Sequence, residues 1–119
     1  MKRDMELVRK LLVLIEDSEQ GHELILPKDM DIKLVANHLE LMGQASLVKN
    51  NITYADDKPY WIYTSLTWGG HEFLDSIRNE GIWNKVKDVV KSKGLEIGSV
   101  PLEVLKEYAK MQVKNIFGL

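Results

Sequence analysis

Hydrophobic residues recur at helical spacing in both ends of the chain, and the pattern between them is typical of strands. Near the N-terminus the spacing predicts one helix over residues 4–17 and a second over residues 31–42. Asp4 is the expected N-cap of the first helix and Gly43 the expected left-handed C-cap of the second. The two apolar stripes are Met5, Val8, Leu11, Leu12 and Ile15, and Ile32, Val35, Ala36, Leu39 and Met42.

The middle of the chain is rich in β-branched and aromatic residues. It predicts two strands over residues 47–54 and 59–66, joined by a hairpin loop at residues 55–58. A third helix is predicted to start near Thr67 and to end at the break over residues 79–81. A fourth follows over residues 82–93, and a last helix over residues 102–117 begins after Pro101.

This order of elements predicts an α+β fold with a winged-helix-like domain. A helix, a short extended segment at residues 24–30, a second helix and a β-hairpin wing follow one another, and further helices come at the C-terminus. We expect a single domain over residues 1–119, with the winged-helix core in residues 1–80 and a C-terminal helical extension in residues 81–119.

Composition narrows the function classes. The chain has no cysteine, which excludes disulfides, cysteine-based zinc sites and thiol catalysis. No apolar run is long enough to span a membrane, and the charged N-terminus does not resemble a signal peptide, so we expect a cytoplasmic protein without a membrane partner. The net charge of −2 lacks the basic surplus that is usual in nucleic-acid-binding proteins.

Two segments carry a resemblance to a known family. One is residues 35–48 (VANHLELMGQASLV), and the other is residues 66–75 (LTWGGHEFLD) together with residues 82–86 (IWNKV). With the opening residues 1–5, they make the chain similar to a family of small uncharacterised proteins that is common in bacteriophages and prophages. The resemblance implies a winged-helix-like core and a phage-linked context, and it supplies no catalytic residues. The position of Ser46 is often glycine in that family.

The second segment also has a structural interpretation. We expect Thr67 to cap the third helix, Gly69 and Gly70 to allow close packing, and three aromatic residues to fix the following helices on the sheet: Trp68, Phe73 and Trp83. His71 is expected to hydrogen-bond to Asp75 or to the backbone beside Trp68.

The same histidine raises an enzymatic alternative. His71, Glu72 and Asp75 resemble a variant of the zinc-protease pattern, which would make the protein a metal-dependent hydrolase. Zinc requires a third protein ligand, and the other two histidines do not form a ligand pair. We therefore expect no metal, no cofactor and no enzymatic activity.

Nucleic-acid binding is the leading functional hypothesis. Lys33, Asn37, Glu40 and Gln44 share the outward face of the second helix, and lysine, asparagine and glutamine can contact bases or phosphates. A basic cluster on the fourth helix could add phosphate contacts through Lys85, Lys87 and Lys91.

Charge also supports a competing hypothesis. Residues 28–44 carry one net negative charge, and Asp56 and Asp57 at the hairpin tip would repel phosphates. The outward face of the second helix would then be an ordinary solvated surface, and the lysines of the fourth helix would complement its dipole. The competing hypothesis is a protein-interaction module on a winged-helix scaffold that has lost its DNA contacts.

Apolar surface on the last helix suggests self-association. Its stripe is wider than one packed neighbour would cover, so either simple core packing or a homodimer through this helix is expected. The expected partners are therefore double-stranded DNA or a protein, with a second copy of the chain as a third possibility.

Overall fold

The computed structural model describes residues 1–119, which fold into five α-helices and a two-stranded antiparallel sheet. The elements in chain order are α1 (Met5–Asp17), α2 (Ile32–Gln44), β1 (Val48–Ala55), β2 (Lys58–Leu66), α3 (Trp68–Ile77), α4 (Glu80–Ser92), a single turn of 3-10 helix at Ile97–Ser99, and α5 (Leu102–Ile116). The predicted α+β class is confirmed. None of the helices combines the length and the apolar character needed to cross a membrane.

The expected helix starts are confirmed at three caps. Asp4 Oδ1 accepts the backbone N–H of Leu7 at 3.1 Å, and the Thr67 side chain accepts that of Gly70 at 3.0 Å. Asp31 caps α2 by accepting the backbone N–H groups of Lys33 and Leu34.

The expected C-cap of the second helix was wrong, and the fourth helix begins two residues earlier than predicted. Gly43 lies inside α2, which continues to Gln44, and the left-handed residue after it is Ser46 with φ of 60°. The Ser46 N–H bonds to the Gly43 carbonyl at 3.0 Å and the Leu47 N–H bonds to the Met42 carbonyl at 2.9 Å, so the chain closes the helix around Ser46 rather than Gly43. A break between the third and fourth helices is present as predicted, but it covers only residues 78 and 79, because Asn79 caps α4 by accepting the Ile82 N–H at 3.1 Å.

The hairpin pairs Val48 with Leu66 at its base and Ala55 with Lys58 at its tip. Asp56 and Asp57 form the turn with φ of 52° and 62°, a left-handed pair of the kind that suits two-residue hairpins. An irregularity between Thr53 and Tyr54 shifts the register. The segment at residues 24–30, before α2, begins in an extended conformation as predicted. Its Leu24 N–H donates a hydrogen bond to the Ile62 carbonyl of β2 at 2.8 Å.

A cluster of 22 buried hydrophobic residues joins all the helices to the hairpin. Leu11 and Leu12 of α1 are fully buried at its centre, and α1 packs against α2, α3 and β2. The C-terminal helices contribute to the same cluster through Trp83 and Leu105. The inner face of the hairpin is covered mainly by α2 and α1. The residues of the opposite face are mostly exposed, and only the loop at residues 20–22 lies beside its base.

Candidate functional site

The proposed reading face of α2 exists as an exposed stripe. Lys33, Asn37, Glu40 and Gln44 are all exposed, while Val35, Leu39 and Met42 on the opposite side are buried. The helical spacing that placed these residues on one side therefore describes the folded helix correctly.

Acidic residues lie on the exposed stripe of α2, at Glu40, and at the tip of the adjacent hairpin, at Asp56 and Asp57. The Tyr54 hydroxyl donates to Glu40 Oε1 at 2.5 Å, which fixes the carboxylate where α2 meets the hairpin. This hydrogen bond raises the pKa of Tyr54 above its ordinary value. Between residues 28 and 58 there are four lysines and five carboxylates, so the helix and hairpin together carry one net negative charge.

The basic cluster on α4 does not extend this surface. Lys85 and Lys91 are exposed, but Lys87 Nζ lies 2.5 Å from Glu6 Oε1 and 5.9 Å from the centre of the Trp83 ring. α2 packs on α1 and the hairpin, whereas α4 packs on α3, α5 and the 3-10 turn. The lysines thus belong to a different group of elements from the α2 face, and Lys87 is engaged within the protein.

The partner of Lys87 is a partly buried acid that sequence reasoning missed. Glu6 Oε1 also accepts the indole N–H of Trp83 at 3.0 Å. Burial raises the pKa of this carboxyl, but the hydrogen bonds from Lys87 and Trp83 outweigh burial and hold the pKa below its ordinary value. The three residues form a link between α1 and α4.

Of the two glycines in residues 66–75, Gly70 allows a close approach of α3 to the start of β1, whereas the expectation of close packing at Gly69 was wrong, because a Cβ there would come no nearer than 3.7 Å to any neighbour. A Cβ at Gly70 would lie 2.0 Å from the Leu47 carbonyl oxygen. Phe73 and Trp83 are buried as expected. The expectation for Trp68 was wrong: its side chain is 81% exposed, because the first residue of α3 points away from the face that packs on the sheet.

His71 also has a different partner from the expected one. Its Nδ1 lies 3.8 Å from Glu16 Oε2 of α1, with neither Asp75 nor the backbone beside Trp68 as a hydrogen-bond partner. Arg78 holds Glu16 through two hydrogen bonds of 2.6 and 2.7 Å, and it donates to Asp75 at 3.1 Å. The bonds from Arg78 lower the pKa of Glu16. No group of three His, Cys, Asp or Glu side chains is placed to hold a metal ion.

The fully buried His38 is the second feature that sequence reasoning missed. Its Nε2 accepts the Asp4 backbone N–H at 2.9 Å, and its Nδ1 lies 2.9 Å from the Leu34 carbonyl. With Nε2 as an acceptor, Nδ1 carries the proton and donates to that carbonyl. His38 follows Val35 by three positions and precedes Leu39, so the helical period itself placed it on the buried side.

The outward face of the hairpin carries exposed aromatic side chains. We call Lys49, Asn51, Thr53, Trp61, Tyr63 and Ser65 the hairpin outer face. Trp61 and Tyr63 are opposite Thr53 and Asn51, and their side chains are 42% and 39% exposed. Tyr60 is 62% exposed and contacts Trp61 edge to face, with ring centres 5.1 Å apart. Neighbouring residues of a regular strand point to opposite faces, but the register shift beside these two residues leaves both rings in solvent.

Comparisons with known proteins place the chain in a family. The model of the family of hypothetical proteins DUF2513 matches residues 2–96. An uncharacterised protein of Haemophilus influenzae is 34% identical over 120 residues, which cover 98% of each chain. No solved structure gives a significant match. The matched residues include α1 to α4 and the whole hairpin, and this chain belongs to the DUF2513 family.

Proposed function

We propose that this protein is a non-enzymatic binding protein whose hairpin outer face docks another protein. The observation that supports it is the exposure of Trp61 and Tyr63 on a face that no other element covers. Aromatic side chains with a polar end are enriched in protein interfaces, because they bury a large area and still satisfy their polar atoms. Polar neighbours such as Asn51 and Thr53 supply the matching rim.

The scaffold of this surface is proposed to be a winged helix. The order α1, extended segment, α2 and hairpin supports it, as does the bond from Leu24 to Ile62, which puts the extended segment beside β2. The first helix of a standard helix-turn-helix pair is replaced by residues 18–31, which contain no helix.

Charge favours a protein over DNA as the ligand of this scaffold. A winged helix that reads DNA places its second helix in the major groove and its hairpin near phosphates. Here Glu40 is fixed at the junction between them, and Asp56 and Asp57 form the hairpin tip. Each carboxylate near a phosphate opposes binding, and the single net negative charge of this surface offers no counterion-release gain.

Affinity capture from the cells that express the protein tests the proposal. Wild-type protein and a Trp61→Ser/Tyr63→Ser double variant would be compared, with Trp68→Ser as the matched control because Trp68 is also an exposed tryptophan. We expect a specific protein that the wild type and the Trp68 variant retain and the double variant loses. Equal recovery by all three proteins would refute docking at the hairpin outer face.

DNA binding remains the second proposal, and the exposure of Lys33, Asn37 and Gln44 supports it. The test is a titration of fluorescent duplex DNA with the protein at about 20 mM salt. Low salt is used because salt weakens contacts to phosphates steeply. Binding that Lys33→Ala/Asn37→Ala abolishes and Lys91→Ala does not would support this function. An unchanged affinity of the double variant for DNA would refute DNA recognition by the exposed face of α2.

A homodimer through α5 is proposed for the apolar surface at the C-terminal end. Val104, Met111 and Ile116 are exposed on this helix. Light scattering after size exclusion should give twice the chain mass for the wild type and a lower mass for Met111→Glu. A monomeric wild type at high micromolar concentration would refute it.

The cellular setting is proposed to be the cytoplasm of a cell that carries a bacteriophage or prophage. The resemblance of residues 35–48 and 66–86 supports this setting. Transcription that rises with prophage induction would agree with it, whereas transcription that ignores induction would argue against it.

A further inference from the structure

A cavity of about 260 Å³ lies between the start of α1, the end of α2 and the start of α5. Its walls are mostly apolar and include Met5, Val8, Leu41, Leu47, Val100 and Leu105. A dry apolar cavity of about 150 Å³ is enough to bind benzene, so this one has room for a ligand slightly larger than one ring. The cavity is away from the hairpin outer face, so it adds to the proposed docking function.

The cavity has one charged lining residue, Arg3, and no carboxylate in its lining. Arg3 Nε donates to the Gly98 carbonyl at 3.0 Å, which leaves the two terminal nitrogens of the guanidinium without a partner in the protein. The backbone at this point is closely packed, since a Cβ at Gly98 would lie 2.2 Å from the Arg3 carbonyl oxygen. Arg3 is therefore an exposed residue at the open edge of an apolar cavity, where its two terminal nitrogens are free to bind a ligand.

The other polar lining groups define what the ligand can contact. His38 lines the cavity, but both of its ring nitrogens are hydrogen-bonded within the protein. Gln44, which the sequence suggested as a base-reading residue, lines the cavity and can offer its amide N–H. The free donors are thus a guanidinium and an amide, and both suit a carboxylate.

We propose that this cavity binds a small amphipathic carboxylate, with the hydrocarbon part between α1, α2 and α5 and the carboxylate on Arg3. Apolar burial supplies most of the attraction, and the charge-assisted hydrogen bonds of Arg3 select the acid over the matching alcohol. Ligands of this kind have about eight to ten non-hydrogen atoms, judged by the cavity size.

Methyl NMR spectroscopy with octanoate and octan-1-ol tests the site. Octanoate is expected to shift the methyl signals of Val8, Val100 and Leu105 at millimolar concentration, and octanol to bind at least about ten-fold more weakly because it cannot use the charge of Arg3. Absence of saturable shifts at these methyl groups, or equal affinity for acid and alcohol, would overturn the proposal.

Three variants connect these shifts to the proposed contacts. Arg3→Met should weaken octanoate about ten-fold and leave octanol unchanged, while Ala45→Leu, which narrows the cavity, should abolish both. Lys2→Met is the matched control, since Lys2 is paired with Glu96 and does not line the cavity. A loss of octanoate binding in Lys2→Met equal to that in Arg3→Met would mean that general charge, rather than the site, attracts the acid.

Discussion

Replacement of Gly70 by alanine should destabilise the protein, whereas the same change at Gly69 should not. Both glycines lie in the first turn of α3, where alanine gains up to about 1 kcal/mol of helix propensity over glycine. At Gly70 the new Cβ would lie 2.0 Å from the Leu47 carbonyl oxygen, but at Gly69 its nearest contact is the Ser46 carbonyl at 3.7 Å. The clash at Gly70 must therefore be relieved by moving α3 or the start of β1.

The expected loss can be worked out from the contacts at that point. The Leu47 carbonyl also accepts the Thr67 N–H at 3.0 Å, so a shift weakens a hydrogen bond of about 1 kcal/mol. Overpacking adds about 1–3 kcal/mol, and the helix propensity returns about 1 kcal/mol, so Gly70→Ala should lower the free energy of unfolding by about 1–3 kcal/mol.

Urea unfolding followed by circular dichroism measures both variants against the wild type. Gly69→Ala should match the wild type or exceed it by up to about 1 kcal/mol, with the same denaturant slope. If Gly70→Ala is as stable as Gly69→Ala, the close approach of α3 to Leu47 is wrong, and so is the packing role assigned to Gly70.

Three further predictions concern single residues in the same assay. Ser46→Gly should raise the free energy of unfolding by about 0.5–1 kcal/mol, because glycine adopts the φ of 60° without strain. The greater freedom of glycine in the unfolded chain offsets part of this gain. An unchanged free energy of unfolding would contradict the left-handed conformation at Ser46. His38→Phe should lower it by about 1–3 kcal/mol, because the Asp4 N–H loses its acceptor, and a neutral effect would contradict that bond. The hydrogen bonds from Arg78 lower the pKa of Glu16 below 4.5. The Glu16–Arg78 ion pair therefore stabilises the fold fully above about pH 4.5, and this stabilisation is lost as the pH falls through the lowered pKa. Glu16→Gln should therefore be less stable than the wild type at about pH 7, and the difference should shrink toward about pH 2; a pH-independent difference would refute the ion pair.

Local patterns in the sequence were sufficient to predict the helices, the hairpin and the N-caps Asp4 and Thr67, but not the C-cap of α2. Thr67 caps α3 through the N–H of Gly70, only three residues away, and the period of α2 placed Lys33 and Asn37 outward. Such features depend on neighbours within one or two turns, where spacing is a direct guide to position.

Long-range contacts were missed because spacing says little about them. Glu6 and Lys87 are 81 residues apart in sequence, and their contact requires α1 and α4 to pack together. Trp68 was expected in the core because large aromatics dominate cores, yet its direction depends on how α3 leaves the hairpin. The exposure of both Tyr60 and Trp61 depends on a register shift that the strand pattern did not indicate.

Photo-crosslinking from the hairpin outer face tests the proposed function most directly. Trp61 would be replaced by benzoylphenylalanine in the expressing cell, and Trp68, which is also exposed but lies at the start of α3, would be replaced in a parallel strain. Docking predicts a defined protein adduct from position 61 that position 68 does not give. An adduct with DNA from position 61, or the same protein adducts from both positions, would contradict it.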